Sequence, residues 1–214
     1  MSSVTTTQQE GPVGPPHVHH MDATTAYHAA KLGMWLFLGT EILLFGGLFL
    51  GFAIYRWYYL DQFHAGSHHL NMWLGGTNTI VLLFSSLTAV LAVDAAQHGN
   101  NKRASKFLVV TLLCALAFLV IKYIEYSGKY HHGYFPGGEK FHEFGPFLPF
   151  YFCMTGLHAL HVIFGMGLLG WVLSKTMKNR FSPDYYTPVE VGALYWHLVD
   201  AIWIYLFPLL YLVG

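Results

Sequence analysis

The sequence contains little charge for its size. Lys, Arg, Asp and Glu make up 10% of its 214 residues, whereas typical soluble domains contain about 25%. Hydrophobic residues account for 54% of the chain. This composition excludes an ordinary soluble globular protein and indicates an integral membrane protein.

An excess of basic charge and paired cysteines are both absent. The 11 Lys and Arg balance the 11 Asp and Glu, so the formal net charge is zero. Because nucleic-acid-binding proteins need a basic surface, we expect no nucleic-acid partner. The two cysteines, Cys114 and Cys153, lie in separate apolar runs and not in a CxxC spacing, so we interpret them as small core residues.

The start of the chain lacks Lys and Arg up to Lys31. The stretch TTTQQEGPVGPPHVHHMD is rich in Pro and His, and it has neither the basic start nor the apolar stretch of a signal peptide. We therefore expect residues 1–30 to form a retained, disordered tail and residues 31–214 to form the membrane domain.

Long apolar segments fill the rest of the chain. A helix needs about 20 mainly apolar residues to cross a bilayer. Short connectors containing Gly, Pro and Asn separate the segments and leave no room for a second large domain. We predict an all-α bundle of five transmembrane helices, covering about residues 32–59, 71–97, 104–127, 146–174 and 188–213.

The basic residues of the connectors predict the orientation. Cytoplasmic loops carry more Lys and Arg than loops on the other side, and five spans place the termini on opposite sides. The N-terminal side has seven such residues, Lys31, Lys102, Arg103, Lys106, Lys175, Lys178 and Arg180, and the other side has at most four, Arg56, Lys122, Lys129 and Lys140. We expect the N-terminus and its tail in the cytoplasm and the C-terminus in the periplasm.

Several ionisable residues lie deep in the predicted helices. With a rise of about 1.5 Å per residue, Glu41 lies about 15 Å from Lys31, near the bilayer midplane. His158 and Asp200 lie at a similar depth by the same estimate. A charge at this depth costs about 3 kcal/mol or more, so such residues face the bundle interior and have partners. We predict a buried polar cluster made from Glu41, His158, His161, Glu190, His197 and Asp200.

Helical spacing places some of these residues on shared faces. Residues three apart are neighbours on a helix surface, which applies to His158 with His161, to His197 with Asp200, and to Lys122 with Glu125. We expect the last two to form a local ion pair near the outer interface.

Two interpretations remain open for the deep histidines and for the acid. The histidines either bind haem or a metal, with His197 completing the ligands, or form hydrogen bonds to Glu41 or Asp200 that fix the packing. We favour hydrogen bonding and predict no metal site, because a metal site needs three or four converging ligands. Glu41 is either a structural, hydrogen-bonded acid, which we favour, or a proton relay.

Five stretches of the sequence are similar to a known family. They are KLGMWLFLGTEILLFGGLF, NTIVLLFSSLTAVLA, IKYIEY, FYFCMTGLHALHVIFGMG and YWHLVDAIWIYLFPLLYL. Their order closely resembles subunit III of the haem-copper terminal oxidases, over about residues 31–213. Some members have two additional helices before this region, so the chain resembles the shorter, five-span bacterial form.

This resemblance implies an accessory, non-catalytic subunit of an aerobic respiratory oxidase in the bacterial inner membrane. It implies no redox cofactor in this chain, haem and copper in partner subunits, packing against subunits I and II, bound structural phospholipid, and support for proton uptake. Glu41 matches the family's buried, carbodiimide-reactive acid, and the other matching polar positions are Glu125, His158, His161, Glu190, His197 and Asp200.

Alternatives remain within the family and outside it. The complex oxidises cytochrome c or quinol, or is a nitric oxide reductase; the TEILLF context of Glu41 resembles the cytochrome c type. Membership of a larger respiratory supercomplex also stays open. The alternatives of another class are an independent haem- or metal-binding redox protein and a proton carrier that uses Glu41 and Asp200.

Overall fold

The computed structural model describes residues 23–183 and 185–212. Within them the chain forms six α-helices: α1 (Ala23–Tyr58), α2 (Leu60–His68), α3 (Met72–Gln97), α4 (Asn101–His131), α5 (Phe147–Met177) and α6 (Thr187–Phe207). A π-helical segment, Pro208–Leu212, continues α6. Five helices, all except α2, are long and apolar enough to cross a membrane. The predicted all-α bundle with five spans is confirmed.

Two helical regions lie where the sequence predicted none. The short helix α2 occupies the first connector, where it buries Phe63 and Gly66. Helix α1 begins at Ala23, so residues 23–30 are helical and not a disordered tail. Their alanines favour a helix even without an apolar run. The rest of the predicted tail, residues 1–22, lies outside the described residues.

A tight turn joins α3 and α4 into an antiparallel hairpin. Gly99 adopts a φ of 70° in this turn, a conformation that glycine adopts without steric cost. The Asn100 side chain then caps α4 by accepting a hydrogen bond from the Arg103 N–H at 3.1 Å. At the start of the hairpin, Asn71 caps α3 by accepting from the N–H groups of Trp73 and Leu74. These caps fix where both helices begin.

Helix α6 is the centre of the bundle and α1 lies at its edge. In the most apolar stretch of each helix, 50% of the residues are buried in α6, whereas only 17% are buried in α1. Helix α6 packs against α1, α3 and α5, while α4 packs against α3 and α5. One end of the bundle carries α2 and the 132–146 loop, and we call it the α2 end; the opposite end, where α1 begins, is the N-terminal end.

Aromatic side chains fill the core between the central helices. The Trp203 ring of α6 meets Phe118 of α4 edge-on, with ring centroids 4.9 Å apart. Trp196 is fully buried, and its ring lies against Gly165 of α5, where a Cβ atom would approach it to 3.0 Å. Helices α5 and α6 can therefore approach closely only because residue 165 has no side chain.

Candidate functional site

The carboxyl group of Glu41 on α1 is hydrogen-bonded to His161 on α5. Its Oε2 lies 2.9 Å from His161 Nε2, and His161 Nδ1 lies 2.8 Å from the carbonyl oxygen of Leu157. Since a carbonyl oxygen only accepts, Nδ1 carries a hydrogen. Nε2 then either donates to a carboxylate or accepts from a carboxylic acid, so the pair holds one proton between the two side chains.

This pair lies at the edge of the bundle and not in its centre. The side chains of His161 and Glu41 are 16% and 14% exposed. The ring of Phe45 packs edge-on against His161, with centroids 5.2 Å apart, and Phe45 is buried. The pair therefore joins the peripheral helix α1 to the bundle while remaining accessible from one side.

Lys122 and Glu125 form a buried ion pair with two tyrosines around it. Lys122 Nζ donates to Glu125 Oε2 at 2.9 Å, and the two side chains are 7% and 5% exposed. The hydroxyl groups of Tyr151 and Tyr211 donate to Glu125 Oε1 at 2.9 and 2.7 Å. Lys122 also donates to the Tyr211 hydroxyl and lies over the ring of Trp203 at 4.5 Å from its centroid. These contacts satisfy both charges, as a buried pair requires.

Glu190 lies at the N-terminal end of the bundle, where it binds the start of α1. Lys31 Nζ lies 2.7 Å from Glu190 Oε1, and the Tyr27 hydroxyl donates to Glu190 Oε2 at 3.1 Å. Lys31 also donates to the Tyr27 hydroxyl. The first turn of α6 is thereby connected to the start of α1, at a point of α1 ten residues before Glu41.

His197 faces α3 and forms part of a row of polar contacts along that helix. Its Nδ1 lies 2.8 Å from the Ser86 hydroxyl. One residue earlier on each helix, the Trp196 indole donates to the Ser85 hydroxyl at 2.8 Å. These hydrogen bonds set the register of α6 against α3.

His158 and Asp200 are buried without a hydrogen-bond partner among the described residues, and Asn78 shares this state. His158 is fully buried, with its ring 5.5 Å from that of Phe118 and 5.3 Å from that of Trp203. Buried polar groups in this state are uncommon, and each calls for an explanation.

The structure thus distributes the predicted polar residues over four places. Glu41 joins His161, Glu190 joins Lys31, His197 joins Ser86, and His158 and Asp200 stay inside the bundle. The three histidines face different neighbours and do not converge. In the described part of the chain, no group of three or more His, Cys, Asp or Glu side chains is arranged to hold a metal ion.

The tyrosines and the lysine that complete these sites were not predicted from the sequence. Tyr27, Tyr151 and Tyr211 were not predicted to take part, although a buried tyrosine hydroxyl usually needs a partner. Lys31 was used to predict orientation and depth, but not as a partner of Glu190. Its position four residues after Tyr27 was the signal that these side chains share a helix face.

The fold and these contacts define a class: an integral membrane protein built as a five-span helical bundle, with ionisable side chains paired between its helices. A model of the family "Cytochrome c oxidase subunit III" matches residues 16–214. The chain belongs to the cytochrome c oxidase subunit III family. The resemblance seen in the sequence is confirmed.

Relatives of the chain carry two related names. Cytochrome c oxidase subunit 3 of Corynebacterium diphtheriae is 32% identical over 185 residues, which cover 86% of this chain and 87% of that protein. Cytochrome c oxidase subunit 3 of Bacillus sp. strain PS3 is 30% identical over 211 residues, 93% of each. Quinol oxidase subunit 3 of Bacillus spizizenii is 30% identical over 189 residues, 86% of each.

Proposed function

We propose that the chain is an accessory, non-catalytic subunit of a bacterial haem-copper terminal oxidase. It packs against subunit I, in a complex with subunit II, in the inner membrane. Haem and copper belong to those partner subunits. The observation that carries this proposal is the family match over residues 16–214, supported by a bundle whose described helices include five candidate membrane spans.

Within this proposal the complex is of the cytochrome c oxidase type, with the N-terminus in the cytoplasm. The TEILLF context of Glu41 supports cytochrome c as the electron donor. The uneven distribution of Lys and Arg supports the orientation. A quinol oxidase is the second candidate, and it is favoured by the relative named quinol oxidase subunit 3.

We further propose that the Glu41–His161 pair supports proton uptake by the complex. The pair holds one proton between two side chains 2.9 Å apart, and it is partly exposed at the edge of the bundle. A proton-exchanging group needs a partner that accommodates either location of the proton, and paired ionisable side chains inside a membrane bundle commonly form proton relays. The alternative, which the sequence alone favoured, is a structural contact that only attaches α1.

The subunit assignment is tested by purification from native membranes. The chain carries an affinity tag at its N-terminus, since Tyr211 near the other end is part of a buried site. After mild solubilisation and capture, we expect a large multi-span partner and the haem a bands of a reduced-minus-oxidised spectrum. Haem bound to this chain alone would contradict the proposal, as would capture with no haem-containing partner. Oxidation of quinol but not of reduced cytochrome c by the captured complex would exclude the cytochrome c oxidase type.

The proton role is tested with Glu41→Gln. Glutamine keeps the size and polarity of the acid but exchanges no proton, so we expect normal assembly and oxygen consumption that declines faster during sustained turnover. Glu139→Gln, in the exposed loop, is the matched control and should behave as the native complex does. Unchanged rate and working life in Glu41→Gln would leave only the structural role.

A further inference from the structure

Two histidines lie together on the exposed side of the short helix α2. His64 and His68 are four residues apart, and their ring centroids lie 5.9 Å apart with the ring planes inclined by 35°. Both side chains are exposed, and α2 is not among the helices long and apolar enough to cross a membrane. Neither the contacts within the bundle nor the family match gives this pair a role.

The spacing of this pair suits two ligands of one metal ion. Side chains at positions i and i+4 lie one above the other on the same helix face, and two histidines placed in this way on a helix are a recurring zinc-binding arrangement. A Zn²⁺ ion binds a histidine nitrogen at about 2.0–2.1 Å. Because both side chains are exposed, a small rotation of each ring brings one nitrogen of each to a shared ion.

Other neighbouring histidines at the α2 end are not arranged in this way. His131 and His132, at the end of α4, are consecutive, and consecutive residues do not face each other on a helix. His69 follows His68 directly, but its ring packs against Phe144, with centroids 4.7 Å apart. The arrangement of His64 and His68 is therefore more specific than a surface that is only rich in histidine.

The pair forms an open site, with two ligands from the protein. In the part of the chain that the structure describes, no group of three or more His, Cys, Asp or Glu side chains is arranged around a metal, so water completes the coordination of a bound ion. Asp61 in the first turn of α2 is three residues before His64, on the same side of the helix, and its negative charge favours a cation. Imidazole suits Zn²⁺, whereas Mg²⁺ and Ca²⁺ take oxygen ligands.

A metal bound to both histidines would also stabilise α2. The helix has nine residues, and helices of this length are marginal in water. It is held in place by the burial of Phe63 and Gly66. An ion that joins His64 to His68 connects successive turns and binds only the helical conformation, so its binding favours that conformation.

We propose that His64 and His68 bind one Zn²⁺ ion at the surface of the α2 end. The proposal concerns a site apart from the Glu41–His161 pair, and it holds whichever electron donor the complex uses. Zn²⁺ is also the practical probe, because it has no redox chemistry and is distinguishable from the copper that the proposed function places in partner subunits.

The test measures the modification of single histidines by diethyl pyrocarbonate in the intact purified complex, read by mass spectrometry of peptides. At a Zn²⁺ concentration ten times the dissociation constant, we expect modification of His64 and His68 to slow roughly tenfold. His142, an exposed histidine of the 132–146 loop, should react at an unchanged rate, and Mg²⁺ should protect neither member of the pair. Unchanged modification of the pair at millimolar Zn²⁺ would overturn the proposal, as would equal protection by Mg²⁺.

The variant His68→Gln removes one of the two ligands. We expect Zn²⁺ to protect His64 at least roughly tenfold more weakly in this variant, because even the loss of an outer hydrogen-bond partner weakens metal binding by that factor. The matched control His142→Gln should keep the native protection of His64. Protection of His64 that is as strong in His68→Gln as in the native complex would show that His68 is not a ligand and would overturn the pair.

Hydrogen exchange gives a second measurement, which needs no chemical modification. Zn²⁺ at ten times the dissociation constant should slow the exchange of the α2 amides roughly tenfold in the native complex, and exchange in α6 should not change. Removal of the ion by a chelator should restore the original rate. Equal slowing of α2 in His68→Gln, or equal slowing of α6, would place the ion elsewhere and contradict the proposal.

Discussion

Tyr211 and Glu125, 86 residues apart in the chain, are joined by a hydrogen bond of 2.7 Å from the tyrosine hydroxyl to the carboxylate. The same hydroxyl accepts from Lys122 at 2.9 Å. One side chain of the π-helical segment thereby contacts both charges of the ion pair on α4. The pair is local in sequence, but its surroundings are assembled from three helices.

Removing one charge of this pair should destabilise the subunit strongly. Lys122→Met leaves the Glu125 carboxylate buried with only two tyrosine donors, and breaking a buried pair in this way costs about 3–5 kcal/mol. We expect the subunit to dissociate from its complex at a clearly lower temperature, measured by heating followed by native gel electrophoresis. Adding Glu125→Gln to Lys122→Met should recover part of the loss. Equal heat resistance in Lys122→Met and the native complex would show that the pair contributes nothing.

A side chain at residue 165 should separate α5 from α6. In Gly165→Val the new atoms would meet the buried Trp196 ring, which a Cβ atom alone approaches to 3.0 Å, and overpacking of this kind costs about 1–3 kcal/mol. Gly167→Val is the control, since a Cβ atom there has nothing within 4 Å. We expect a lower thermal dissociation midpoint for the first variant only, and equal midpoints would contradict the packing described.

Loss of the Lys31 ammonium group should loosen the start of α1 without unfolding the bundle. The Lys31–Glu190 pair is partly exposed, with side chains 35% and 18% accessible, so we expect less than about 1 kcal/mol of overall stability to be lost in Lys31→Met. Hydrogen exchange of residues 23–33 should accelerate, while exchange in α5 stays unchanged. The control is Lys178→Met, an exposed lysine at the same end, and similar exchange in both variants would argue against the connection.

Asp200→Asn should be tolerated. The carboxylate oxygens of Asp200 have no hydrogen-bond partner within the described chain, and an amide of the same size never ionises. We expect normal assembly and an equal or higher thermal dissociation midpoint. A large loss of stability or of oxygen consumption would instead show that the acid itself is required, either for binding a partner group or for proton transfer.

The membrane spans were predictable because hydrophobicity alone defines them. Each predicted span overlaps one long helix, and the end of the second, residue 97, coincides with the end of α3. The helix α2 was missed because its sequence LDQFHAGSH contains glycine and polar residues typical of a turn. It is helical because packing buries Phe63 and Gly66 against the start of α5, and such tertiary packing is not visible in local composition.

Which polar residues lie deep was predictable, but their partners were not. Spacing along one helix indicates which side chains share a face, as for Lys122 and Glu125. It does not indicate which helix packs on that face. Glu41 therefore meets His161 and not His158, although the two histidines are only three residues apart, because α1 contacts the outer side of α5.

The position of Tyr211 also determines when the Glu125 carboxylate gains its last hydrogen-bond donor during synthesis. Lys122 and Glu125 are synthesised before α5 and α6, and Tyr211 follows Glu125 by 86 residues. Of the partners of the Glu125 carboxylate, only Lys122 lies on the same helix, and the hydroxyl groups of Tyr151 and Tyr211 become available later in synthesis. A chain released before Pro208–Leu212 is made would contain the five long helices yet leave this carboxylate short of a donor. The set of hydrogen bonds around Glu125 is therefore complete only after this segment has been synthesised.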